Sequence, residues 1–180
     1  MSDEPNPSPA HAHGDLDPDL LEAAREVFEA ARRGDSATLA AVIQKGVPPN
    51  LRNEKGDSLL MLASYHGHAD AVRTLIEHGA DADLRNGNGQ SPLAGAAFKG
   101  FKSVVETLLA AGADVEGASP DGRTALMIAA MFNRTDIVEL LIAHGADPQA
   151  RDASGATPLD AARRMGAPDT PAQLTADRGR

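Results

Sequence analysis

Gly89-Gln90-Ser91-Pro92-Leu93 is one of four copies of a single phrase. The others are Gly56-Asp57-Ser58-Leu59-Leu60, Gly122-Arg123-Thr124-Ala125-Leu126 and Gly155-Ala156-Thr157-Pro158-Leu159, and the four glycines fall 33 residues apart. A fixed period of this length marks a stacked array in which each unit covers its neighbour. Two further registers share the period. Gly46, Gly79, Gly112 and Gly145 each follow an apolar helical pattern, such as Val72, Leu75, Ile76 or Val138, Leu141, Ile142. They read as C-terminal helix caps, where the left-handed backbone is unstrained for glycine. The third register is Gly34, Gly67, Gly100, Asn133 and Gly166. Its one departure is asparagine, which tolerates positive φ better than other residues with a side chain.

Between the registers each unit has room for two short helices. The first opens at Ser58, Ser91, Thr124 or Thr157, whose hydroxyls can cap free backbone N–H groups, with Pro92 and Pro158 at the first helical position. A helix of about two turns is unstable alone, so stacking must supply the stability. Alanines at Ala63, Ala96-Ala97, Ala129-Ala130 and Ala161-Ala162 allow close approach, and Leu, Val and Ile on the second helices fill the core.

These residues resemble the ankyrin repeat, with Gly67-His68, Val104-Val105, Leu108-Leu109, Gly79-Ala80-Asp81, Gly112-Ala113-Asp114 and Gly145-Ala146-Asp147 matching its pattern from roughly Leu20 to Met165. The family's Thr-Pro-Leu-His histidine is replaced by Met61, Ala94, Met127 and Asp160. The resemblance implies an all-α solenoid of helix–turn–helix units joined by β-hairpin-like loops. The expected organisation is an acidic, Pro-rich disordered arm over 1–19, a degenerate capping repeat over 20–53, repeats over 54–86, 87–119 and 120–152, a C-terminal capping half-repeat over 153–166, and a tail over 167–180. The tail has room for one short helix around Ala172-Gln173-Leu174.

The family's partner-facing surface comprises hairpin tips and the exposed ends of first helices. The two positions before the third register are Arg32-Arg33, Tyr65-His66, Phe98-Lys99, Met131-Phe132 and Arg164-Met165. Tyr65, Phe98 and Phe132 are three of only five aromatics in the chain, so a stripe of rings flanked by cations is expected on the concave face. Aromatics and Arg are the usual anchors of protein interfaces. The same rings can instead seal the seam between units, and the residues leave both readings open.

The chain carries 17 basic and 26 acidic residues, a formal charge of −9, which repels phosphate backbones and anionic lipid. With no cysteine it has no disulfide or thiolate chemistry. The start, Met1-Ser2-Asp3-Glu4-Pro5, has no basic n-region or apolar stretch, so neither signal peptide nor membrane span is expected, and the cytoplasm is the default. Capped ends favour a monomer.

Other constellations have local explanations. His11 and His13 lie in the Pro-rich arm, His66 and His68 flank Gly67, and His78 and His144 suit helix C-termini. Asp81, Asp114 and Asp147 recur as turn residues, and Gly87-Asn88-Gly89 is a hairpin turn without the Lys-Ser/Thr of a phosphate loop. No catalytic residue, metal or cofactor is expected. The expected function is non-catalytic binding of a partner protein through the concave face. The stretch from about Asn50 to Leu174 is also similar to small bacterial ankyrin proteins, some associated with catalase, which implies an accessory role in peroxide resistance as an alternative. A further alternative is an inhibitory or structural module in which the acidic arm occupies a basic surface.

Overall fold

The computed structural model describes residues 18–176. The expected arm lies outside these residues except for Pro18 and Asp19, which open the first helix instead of ending the arm. Proline suits this first helical position, where its missing N–H would have no partner. Ten helices follow among the described residues: α1 Pro18–Arg33, α2 Ser36–Gln44, α3 Leu59–Tyr65, α4 Ala69–Glu77, α5 Pro92–Lys99, α6 Lys102–Ala110, α7 Ala125–Met131, α8 Thr135–Ala143, α9 Pro158–Met165 and α10 Thr170–Ala176. The odd-numbered helices pack in sequence as an inner row, and α2, α4, α6 and α8 pack as an outer row. The chain is an all-α solenoid. Its loops contain one antiparallel bridge among the described residues, Arg52 to Ser58.

Each inner helix after the first starts from a hydroxyl. Ser58 accepts from Met61 N–H at 3.0 Å, Ser91 from Ala94 at 3.2 Å and Thr124 from Met127 at 3.3 Å. At the fourth copy Thr157 and Asp160 form a reciprocal capping box, so one replacement of the family histidine has its own structural use. Met61 and Met127 are buried in place of two others.

The outer helices α4, α6 and α8 start without a side-chain cap. Their N-cap residues instead cover the preceding unit's left-handed turn. A Cβ on Gly67, where φ is 84°, would meet the Phe101 ring at 2.9 Å. His68 covers Gly34 and Arg134 covers Gly100 in the same way. Asn133 breaks the register with φ 55°. There the period puts the small residue Ala167 where the earlier covering side chains stand. The asparagine amide is used: its Oδ1 accepts from Asp169 and Thr170 N–H at 3.0 and 3.1 Å, and its Nδ2 donates to Asp169 Oδ2 at 2.9 Å. Thr170 Oγ1 donates to Ala130 O at 2.8 Å, and Leu174 is buried. These contacts seat α10 against α9, α7 and α8, so the terminal half-repeat gains a second helix.

The core runs through the whole stack. Val72, Leu75, Val105, Leu108, Val138 and Leu141 are fully buried, each worth roughly 1.5–3 kcal/mol of hydrophobic transfer. Val42, in register with Leu75, is only half-buried because nothing described stacks on the α1–α2 end. Units are also tied at their loops, where Asn50, Asp83 and Glu116 side chains accept from the N–H groups of Asp81, Asp114 and Asp147 at 2.8, 2.9 and 2.7 Å.

Two substitutions test this account. Asn133→Gly relaxes the backbone yet removes the amide that seats α10, so it should lower stability by about 1 kcal/mol in urea unfolding; a more stable protein would show that φ alone governs this site. Ser64 Oγ is buried without a hydrogen-bond partner, at a position that is Ala31, Ala97 and Ala130 in other units. Ser64→Ala should therefore stabilise by about 1 kcal/mol, measured the same way.

Candidate functional site

The inner helices end together along one edge, because each turns back at the third register. Tyr65 and Phe98, one period apart, lie in the last turns of α3 and α5, and their rings stack at 6.4 Å between centroids with planes 16° apart. Phe132 meets Phe98 edge-on at 4.7 Å and 86°. His66 lies edge-on to Tyr65 at 5.9 Å and parallel to His68 at 6.5 Å. His68 Nε2 donates to Arg32 O at 2.7 Å, which continues the chain of contacts into the first unit. Lys99 Nζ stands 5.0 Å from the Tyr65 ring centroid, within cation–π range.

The structure thus brings Tyr65, His66, Phe98, Lys99 and Phe132 into one contiguous cluster, with Arg32 joined through His68. Arg32 also pairs with Glu29. Met131 is half-buried, and Arg33, Arg164 and Met165 are exposed outside the ring contacts. Tyr65 and Phe98 keep 39% and 38% of their surface exposed. Phe98 also lines a cleft of 410 Å³ with Ala94, Ile128, Gln90 and Arg123, between the helices and the loop tips. Sequence reasoning missed Arg134, which donates from Nη2 to Phe98 O at 3.4 Å; its signal was the shared register with His68 and Phe101.

His66 sits among several of these charges. Burial, then the charges of His68, Arg32 and Lys99, hold its pKa below the ordinary imidazole value, while Glu29 opposes them. Elsewhere, Asp35, Asp152 and Asp160 are held below the usual carboxylate range by the Thr38 N–H, the Ser154 hydroxyl and the Thr157 N–H respectively. Those are turn and cap bonds. Asp81, Asp114 and Asp147 likewise accept from the N–H two residues on, at 2.9, 3.0 and 2.8 Å. His78 and His144 donate from Nδ1 to the carbonyls of Thr74 and Leu140, each at 2.8 Å. Among the described residues no group of three His, Cys, Asp or Glu could hold a metal, and no helix is long and apolar enough to cross a membrane. His11 and His13 lie outside the described residues.

Stacked helix pairs with a ring-lined inner edge define a repeat scaffold built to present a surface. The family described as ankyrin repeats matches residues 27–118 and 96–176, with three copies, and the chain belongs to that family. Over 73 residues it is 58% identical to a protein of Pseudomonas aeruginosa named as an ankyrin repeat protein. The match covers 41% of this chain and 39% of that relative. Ankyrin repeats are in general protein–protein interaction modules.

Because folded His66 resists protonation, its contribution to stability is complete above the unfolded imidazole pKa and is lost as pH falls from there through the lower folded value. Lys99→Gln removes one of the opposing charges and should raise the His66 pKa, read by NMR titration of its ring. An unchanged or lower value would show that Lys99 does not act on this imidazole.

Proposed function

We propose that this chain is a non-catalytic scaffold that holds a partner protein against its concave face, with Tyr65, Phe98 and Phe132 as anchors. The supporting observation is the combination of an unbroken ring ladder through three repeats with exposure of 39% and 38% at two of its members. Side chains that seal the stack on the same inner helices are far more enclosed: Leu60, Leu93 and Leu126 are 0%, 1% and 0% exposed. Phe132, half-buried against Phe98, serves the seam and the surface together. Rings held against one another lose little further freedom on binding, which favours their use as anchors worth roughly 2 kcal/mol each.

The polar groups of this surface have local partners. Its imidazoles contact rings, a backbone carbonyl and cations, and the carboxylates with depressed pKa values are engaged in caps and turns. A binding role uses the features that are present.

The test compares wild type with Tyr65→Ala/Phe98→Ala/Phe132→Ala as immobilised baits in a lysate of the source cell, after circular dichroism has matched their helicity. The expected result is a protein retained by wild type and lost by the variant. Identical retention by two folded baits would overturn the reading.

A further inference from the structure

The ring ladder runs along a rim whose charge is opposite to that of the whole chain. The ends of the inner helices carry Arg32, Arg33, Lys99, Arg163 and Arg164, although the formal charge of the protein is −9. The acids near this rim are engaged internally. Glu29 pairs with Arg32, Asp35 caps Thr38, and Asp169 accepts from Asn133. At the starts of the outer helices, Asp70 pairs with Arg73 and Asp136 accepts from Ile137 N–H. Arg33, Lys99, Arg163 and Arg164, by contrast, are exposed.

Cations at helix C-termini complement the helix dipole, and that accounts for one charge per helix end. It does not account for Lys99 lying over the Tyr65 ring. After burial, the charges of His68, Arg32 and Lys99 contribute to holding the His66 pKa down.

Resting on the reading of the stripe as a partner surface, we propose that this rim binds an extended acidic segment of a partner protein, with an apolar or aromatic residue set among its carboxylates. Helices pack about 8–10 Å apart, and a chain extended as polyproline II rises about 3.1 Å per residue and repeats its facing every three residues. Acids about three residues apart therefore match the repeat spacing, while the intervening apolar side chain packs on the Tyr65–Phe98 surface. Single-stranded nucleic acid fits less well, because the rings contact one another and offer no slot for a stacked base, and the rest of the protein repels phosphate.

Tyr65 is the single tyrosine and the chain has no tryptophan, so intrinsic emission reports on this site in the full chain. The probe is a short peptide of Asp and Glu with Phe at its centre, free of Tyr and Trp. Titration should change Tyr65 emission saturably, with affinity falling about tenfold between roughly 50 and 300 mM NaCl as screening grows. The Arg33→Glu/Lys99→Glu/Arg164→Glu chain, matched in helicity, should lose the response. No saturable change, or an equal response to the Lys-substituted peptide or to oligothymidylate, would overturn the proposal. In the lysate comparison, a partner lost by the triple-alanine bait but kept by the charge-reversed bait would defeat the acidic preference while leaving the stripe reading intact. Retention by both baits would defeat the stripe reading itself.

Discussion

A seven-residue helix closes too few backbone hydrogen bonds to offset the entropy of forming it, and α3 and α7 are of that length. Everything else in this fold answers that deficit. Each unit after the first contributes an inner helix capped by its own Ser or Thr, and α4, α6 and α8 give their N-cap side chains to the preceding unit. These outer helices have no side-chain cap, and their first side chains cover the preceding left-handed turn instead. Stability is therefore shared across unit boundaries, in the manner of a one-dimensional array.

The same arrangement produces the ring ladder. Because all inner helices stop at the same register, their final side chains form a line, and the repeat spacing brings successive rings into contact. Tyr65 and Phe98 are held by neighbours on either side while one part of each ring faces solvent. Lys99 adds a cation to the Tyr65 ring from the next unit. The ladder is a product of stacking, so its geometry is inherited from the core and needs no separate support.

The periodic part of this account was legible in the residues. Glycines at positive φ announce themselves, and Ser58, Ser91 and Thr124 stand where hydroxyl caps belong. The alignment of Tyr65, Phe98 and Phe132 follows from arithmetic on the period. Their exposure did not, because the burial of a helix-terminal ring depends on how closely the next unit overlies it. The short helix expected around Ala172-Gln173-Leu174 is α10, but what seats it was not legible. It is secured by an amide 36 residues earlier. Arg134 was hidden for a related reason, since its contact with Phe98 O spans the same separation. Local pattern exposes backbone demands, whereas contacts across the stack become visible only when the units are placed.

Asn133 also limits how such an array can lengthen. Repeat chains grow by duplicating a unit in frame, and a new copy is accepted where both of its faces match the old ones. Between the earlier units that condition holds, because a glycine turn receives the covering side chain of whatever follows. After Asn133 it does not. A unit bringing a residue like Phe101 or Arg134 to that position would meet the side chain that Ala167 leaves room for, and would displace the Asp169–Thr170 turn from its amide. One substitution in the register thus gives the series a polarity, with interchangeable links on one side and a terminus on the other.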